Sequence, residues 1–480
     1  MENPKRAYAI GASSVLFSRA TSILSGVLSL WLLARILTTE DFAGYAVALS
    51  VVVMTGYICG LGIERAMILR LAALPPKKNL FVGRRMMQRV LGIAAVLSCV
   101  GLVAVVLITS RTGDDQAANA KWIFWLTPVV PATAVSLVLI TWHQANHKVG
   151  ASQMMQGLND GTRCLLFGLI FLAGFGAWSV ATAAIIAAFL PFLVLSLLSR
   201  GRSEGPPDEF AAGDLLAGLQ FLVLRVSQMG LNQFDIIAMG FLSTSLETAQ
   251  YAVASRVAAI SNVGQLSFMH TYAPRVRRHL ASGDDEAIAR EYHVTRVLSF
   301  SMTLGLALAF YLFGRFALGL FGDFTGGYGP LLILIAGHLI TASLGVQFMH
   351  MSMTDNLRIS VVLRGLGLAI FIVALVLLVP GYGGIGAGLA YVSASVFMGL
   401  TGSIALRLRG GPPTLTPVFS TAAAVAAAGL VATALVPSLW IAGLLALTVA
   451  VALVAITERT LLQSVSGEVL EAARGLVRAR

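Results

Sequence analysis

Residues 37–50 read LTTEDFAGYAVALS, and residues 242–255 read LSTSLETAQYAVAS. Both stretches carry a threonine, an acid three positions later and then Tyr-Ala-Val-Ala. Thr38, Asp41 and Tyr45 in the first answer to Thr244, Glu247 and Tyr251 in the second, each displaced by 206 positions. Self-similarity of this kind points to an internal repeat. A threonine with an acid three residues on can satisfy the free N–H groups at a helix start. Each copy therefore predicts the beginning of a helix, with its tyrosine entering soon after.

Composition sets the environment of those helices. The chain has 480 residues, 57% hydrophobic and 11% charged, against about a quarter charged in soluble domains. This predicts an all-α polytopic membrane protein. Cys59, Cys99 and Cys164 lie in apolar runs and imply no disulfide framework. The net charge of +11 is read as basic cytoplasmic loops, not as a nucleic-acid surface. Lys5 and Arg6 precede an apolar run that continues to Leu33, too long for the core of a signal peptide, so it is read as a retained first helix.

A bilayer core takes roughly 20 apolar residues per helix. Fourteen candidate spans follow: about 8–34, 43–63, 90–109, 122–142, 158–175, 178–198, 214–241, 248–271, 297–320, 328–350, 359–379, 384–405, 417–436 and 439–457. With both termini cytoplasmic, the inside segments, counted with Arg163 and Arg364 at the inner ends of their spans, hold 26 of the 33 Lys and Arg, and the outside loops hold only Arg35, Arg111, Lys121 and Arg315. The positive-inside rule is met loop by loop. Arg19, Arg225 and Arg256 lie within spans.

The two copies of the opening motif each follow an odd-numbered span and begin the next. Six spans separate them, so the halves point the same way, as a parallel repeat about an axis along the membrane normal. Ala145-Asn146-His147-Lys148 parallels Asp355-Asn356-Leu357-Arg358, and Gly176–Ala181 loosely parallels Gly384–Leu389. The expected organisation is a six-helix lobe over 1–200, a second over 201–410, and two extra helices with a cytoplasmic tail over 411–480. The extra helices carry almost no polar content and are expected at the periphery, against lipid.

Charges inside a membrane are costly and usually face a cavity or a partner. Arg19 and Arg225 share the 206-residue offset, which predicts equivalent depths on spans 1 and 7. On a straight span 7, Arg225, Gln228, Asn232 and Asp235 fall at i, i+3, i+7 and i+10, one helix face. Span 1 offers Ser14, Ser18, Ser22, Ser25 and Ser29, which serve equally as a packing surface. Span 8 adds Ser255, Arg256, Asn262 and Gln265. Spans 1, 7 and 8 thus outline a cationic, wet cavity. Guanidinium groups grip phosphate bidentately and stay charged, so the cavity suits a phosphate or pyrophosphate. Asp235 is open to two readings: a site for a coupling proton or sodium ion, or a permanent partner of an arginine.

Other polar residues have plainer readings. His143, His270 and His350 fall near cytoplasmic span ends and are expected at the interface. His338 lies within span 10, as a packing histidine or a titrating one. The basic run 64–89 sets topology and touches anionic lipid, and 458–480 reads as an amphipathic interfacial helix. No metal-ligand cluster, nucleophile–base pattern or phosphate-binding glycine motif stands out, so the expectation is a transporter, not an enzyme, with no cofactor and no metal.

Ala34-Arg35-Ile36-Leu37-Thr38-Thr39-Glu40-Asp41-Phe42-Ala43-Gly44-Tyr45 resembles the first hairpin of the polysaccharide-transport (Wzx-type) flippases of the multidrug/oligosaccharidyl-lipid/polysaccharide exporter superfamily. Glu247–Arg256, followed by Tyr272-Ala273-Pro274-Arg275-Val276, is similar to that family's eighth-helix signature. The resemblance covers residues 1–410. It implies two six-helix lobes around a central cavity with alternating access, in the inner membrane of a bacterial cell. It implies a polyprenyl-pyrophosphate-linked oligosaccharide as substrate, for cell-surface polysaccharide or lipopolysaccharide synthesis, with Arg19 and Arg256 as cavity arginines. The implied partners are that glycan lipid, membrane lipids, a coupling proton or sodium ion and a polysaccharide polymerase, with no nucleic acid. In the similar lipid II flippases two extra helices shape a groove for the lipid tail. One departure stands at the end of span 2, where the family often has an acid before Gly-Leu and this chain has Cys59. The alternatives are a cation-coupled multidrug antiporter of the same fold and a lipid II-type flippase.

The topology is open to a direct check. Reporter fusions after Thr112 and after Gly205 are expected to give opposite locations, outside and then inside. Matching locations contradict the fourteen-span arrangement.

Overall fold

The computed structural model describes residues 24–60, 62, 92–93, 95–98, 100, 117–145, 149–199, 212–354, 357–412 and 417–458. Arg19, the serines at 14, 18 and 22, the run 64–89 and the tail beyond Glu458 lie outside the described residues. Regular structure among the described residues is helical.

The chain packs as two compact units that divide after Ala252, with the short stretch Leu320–Gly322 returning to the first. The first holds Leu24–Ile36 (α1), Thr39–Cys59 (α2), Ala117–Leu126 (α3), Val129–Ala145 (α4), Val149–Ala173 (α5), Ala177–Ser199 (α6), Ala212–Gly230 (α7), Phe234–Leu242 (α8) and the first half of Ser245–Ser261 (α9). The second holds the rest of α9, Val263–Ser282 (α10), Asp285–Gly319 (α11), Tyr328–Leu344 (α12), Gln347–Met353 (α13), Leu357–Leu408 (α14), Pro417–Leu435 (α15) and Trp440–Thr457 (α16). Among the described residues six helices are individually long and apolar enough to cross a membrane, and α3 with the first part of α4, bent by 52° between them, passes the same test only as a pair.

The repeated motif does locally what its chemistry predicts. Thr38 caps α2 by accepting the Asp41 N–H at 3.2 Å. Thr244 Oγ1 accepts the Glu247 N–H at 3.3 Å. The helices that follow begin at Thr39 and Ser245, the same 206-residue displacement. Tyr45 and Tyr251 are both buried. The copies differ in what holds the acid. Asp41 takes Lys121 Nζ and Trp122 Nε1, each at 2.8 Å, whereas Glu247 takes the nearby Ser243 hydroxyl.

Spans 5 and 6 are separate helices, parted at Gly174, whose φ of +68° is a left-handed conformation that glycine adopts readily. Spans 11 and 12 form one helical run, α14, interrupted at Gly383 with φ +53° and ψ −132°. Residues eight apart in a straight helix lie about 12 Å apart. Here the Leu378 carbonyl oxygen comes within 2.4 Å of where a Cβ on Gly386 would stand, so the chain doubles back and makes two spans of the run. The extra pair keeps the exposed surface expected of peripheral helices. α15 packs on α12 and α16 on α11, and α16 keeps most of its own surface exposed.

In the first unit α2 is the hub, packed against α3, α4, α7 and α8. Small residues set the spacing. A Cβ on Gly240 of α8 would stand 2.2 Å from a Val47 methyl, and one on Gly62 would stand 2.0 Å from the Gly218 carbonyl oxygen. Gly62 also has φ +66°. Gly62→Ala therefore faces both a strained backbone and a backbone clash. It is expected to lower the thermal midpoint in detergent by the equivalent of about 2 kcal/mol or more. Gly168→Ala, in α5 with nothing within 4 Å of its Cβ, is expected to be neutral or to stabilise by about 0.5–1 kcal/mol.

Candidate functional site

Span 7 is not the straight helix that its apolar run predicts. α7 ends at Gly230, the chain turns through 231–233, and α8 starts at Phe234. Within the turn Asn232 N–H bonds the Met229 carbonyl at 3.0 Å and Gln233 N–H the Gly230 carbonyl at 3.2 Å. Two features favour the break. Gly230 is a weak helix former, and the Asn232 side chain takes a backbone carbonyl for itself, that of Gln228, at 3.0 Å. Beyond it, α8 is seated on α2 through Gly240 and tied to α3 by Asn119 Nδ2, which donates to the Gly240 carbonyl at 2.7 Å. The predicted single face of Arg225, Gln228, Asn232 and Asp235 is thus divided. Arg225 and Gln228 stay on α7, half-buried; Asn232 sits exposed in the turn; Asp235 opens α8 and is buried.

Arg225 reaches α2. Its Nη2 donates to the Tyr57 hydroxyl at 3.2 Å, and its guanidinium carbon stands 4.5 Å from the Tyr57 ring centroid. Its Nε is buried with no hydrogen-bond partner among the described residues. The cation is therefore oriented by an aromatic face and a single hydroxyl, and retains donor capacity. Arg256 lies on α9 in the second unit and is exposed.

Asp235 stands in the first turn of α8, where the helix dipole favours a negative charge. One carboxylate oxygen accepts the Ile236 N–H and the other the Tyr251 hydroxyl, both at 2.8 Å. The tyrosine of the repeated motif is thus the partner of the acid. Two more buried oxygens flank the break: Ser227 Oγ in the last turn of α7, and Gln233 Oε1 in the turn itself. Neither has a hydrogen-bond partner among the described residues.

The histidines resolve differently. His338 is buried on α12, with Nδ1 2.8 Å from Ser261 Oγ and its ring edge-on to Tyr391, as a packing histidine would be. His350 is not interfacial as expected. It is buried, 2.8 Å from the Tyr272 hydroxyl, because α13 tucks it against Tyr272 and Tyr292. Sequence reasoning also missed Tyr57, Asn119 and Arg296, a buried arginine it had assigned to a loop. Among the described residues no group of three or more His, Cys, Asp or Glu is placed to hold a metal.

A scan with protein-family models and a search of curated proteins each returned no match. Solved structures do match. The lipid II flippase MurJ in an inward closed conformation aligns with a TM-score of 0.65 at 12% identity, covering 95% of this chain and all of MurJ. An inward-facing multidrug resistance MATE family transporter of the MOP superfamily gives 0.61 at 14% identity, covering 81% of this chain and 94% of that one. The Vibrio cholerae MATE transporter VcmN gives 0.56 at 16%, covering 83% and 98%. The fold is that of the MOP-superfamily transporters. Its apolar helices make this chain a multi-pass membrane protein, and the broken seventh span with Arg225 and Asp235 is its candidate functional site.

The Asp235–Tyr251 pair can be weighed directly. A hydrogen bond to a charged group contributes about 1.5–3 kcal/mol. Tyr251→Phe and Asp235→Asn are each expected to lower the thermal midpoint in detergent. The double variant is expected to lose less than the sum of the two, because the pair is one interaction. Additive losses contradict the pairing.

Proposed function

We propose that this chain is an alternating-access flippase of a polyprenyl-pyrophosphate-linked oligosaccharide in a bacterial cytoplasmic membrane, with both termini cytoplasmic and a polysaccharide polymerase downstream. The observation that carries the reading is Arg225: a guanidinium beside a break in a membrane helix, stacked on Tyr57, with a buried donor unused. A planar, permanently charged fork of donors suits a diphosphate better than it suits a drug cation. Arg256 and, by its equivalence with Arg225 in the repeat, Arg19 are the further phosphate ligands in this reading. Gln228 and Asn232 supply neutral polar contacts to the sugar. The likeness to a lipid II flippase supports a lipid-linked substrate: that match spans 95% of this chain, against 81% and 83% for the two MATE structures.

Asp235 is the coupling candidate. An interrupted membrane helix exposes backbone carbonyls that can bind a cation, and here a buried carboxylate, a hydroxyl and an amide oxygen lie at the interruption. A proton or a sodium ion would compete with the Tyr251 hydroxyl for the carboxylate, which gives a means of linking the ion to the geometry of the break.

Flipping of a fluorescent polyprenyl-pyrophosphate oligosaccharide in proteoliposomes tests both parts. Arg225→Ala is expected to lower the rate by tenfold or more. Arg225→Lys is expected to recover it only in part, since an ammonium lacks the forked geometry. Asp235→Asn is expected to keep substrate binding and lose the dependence of rate on an imposed proton or sodium gradient. A wild type that leaves the lipid unmoved but exports a cationic dye under the same gradient favours the multidrug antiporter instead.

A further inference from the structure

Arg296 is 1% exposed, on α11. Its guanidinium carbon lies 4.7 Å from the ring centroid of Phe419 on α15. Its Nη2 is 3.0 Å from His293 Nδ1, one turn earlier on α11. A guanidinium can only donate, so Nδ1 accepts and the ring proton sits on Nε2. That nitrogen is 3.1 Å from Glu458 Oε2, immediately past the end of α16. The imidazole thus bridges a cation and an anion. The result is a charge-balanced chain from α11 to the end of α16.

The other end of α16 is held by the same helix. The Tyr311 hydroxyl of α11 donates to the Trp440 carbonyl at the start of α16 and lies 3.2 Å from Thr433 Oγ1 of α15. Fifteen residues separate Tyr311 from Arg296, about 22 Å along a helix. Between the two ends, Phe300 of α11 packs edge-on to Phe419, with centroids 5.6 Å apart. Close approach at the tyrosine depends on glycine, since a Cβ on Gly443 would stand 2.6 Å from the Tyr311 hydroxyl.

We propose that Arg296–His293–Glu458 at one end and Tyr311–Trp440 at the other form a two-point lock that fixes the α15–α16 hairpin to α11. The hairpin is then a permanent wall of the C-terminal unit and not a lid that swings on it. The surface that α16 turns to lipid keeps its place on α11 whatever state the transporter occupies. The burial of Arg296 makes the lock costly to open, because separating α11 from the hairpin strips a buried cation of its aromatic face and His293 of the Glu458 carboxylate. The inference concerns the second unit alone and does not depend on which substrate is carried.

The test uses the full chain with Cys59, Cys99 and Cys164 replaced by alanine. Spin labels are placed at the exposed positions Met302 on α11 and Thr448 on α16, in lipid nanodiscs. Pulsed dipolar spectroscopy is expected to give one narrow distance peak, unchanged when polyprenyl pyrophosphate is added. Adding His293→Phe with Tyr311→Phe is expected to create a second, longer population. Two populations in the unaltered lock, or a peak that moves with added lipid, would show a mobile hairpin and overturn the proposal. A double variant with the original single peak would overturn it too, by showing that these contacts are not what hold the hairpin.

Discussion

Inside a bilayer no water is at hand to solvate a carboxylate, so a buried acid must be held by the protein's own donors. Asp235 meets that constraint with its own helix N-terminus and the Tyr251 hydroxyl, and the surrounding geometry follows from it. To offer a helix start to the acid, span 7 has to end and begin again, which the turn at 231–233 accomplishes. To bring Tyr251 within reach, α9 must fold straight back on α8, and the connection is only Ser243 and Thr244. Thr248 Oγ1 reinforces the fold-back by donating to the Met239 carbonyl at 2.9 Å. The capping threonine of the repeated motif then sets where α9 begins.

The same constraint shows how the two copies of the repeat have diverged. The position 206 residues before Asp235 is Ser29, which is buried on α1. Tyr45 stands where Tyr251 does, but it packs edge-on to Trp122 and Phe167. A tyrosine at the same place in both copies therefore serves two ends: aromatic packing in one, hydrogen bonding to a charge in the other. An acid confined to one copy is an asymmetry that a purely structural repeat does not need, and it fits the coupling role proposed for Asp235.

Much of the fold was legible because it follows from periodicity, capping and loop charge. The starts at Thr39 and Ser245 were written in Thr38–Asp41 and Thr244–Glu247, and the glycines near 174 and 383 mark the hairpins between neighbouring spans. The break in span 7 was not legible. Residues 214–241 are apolar enough to read as one helix, and the local weakness at Gly230 and Asn232 is joined there by the seating of α8 on α2 and α3, a tertiary effect. Nor could sequence find Tyr57 as the partner of Arg225, since 168 positions separate them. Arg296 was misplaced because the span was begun at the first uncharged stretch, whereas α11 already starts at Asp285 and carries its arginine into the core. In each case what decides the structure is packing between residues distant in sequence: α8 on α2 and α3, Arg225 on Tyr57, and Arg296 on Phe419.

The central claim is that this MOP-type fold holds an anion at Arg225. The most direct measurement is retention of lipid by the purified protein in native mass spectrometry, with polyprenyl pyrophosphate, the matching uncharged polyprenol and a lipophilic cation offered at equal concentration. The account predicts preferential retention of the pyrophosphate, with the preference largely lost in Arg225→Ala. Equal retention of pyrophosphate and polyprenol, or a preference for the cation, would contradict it.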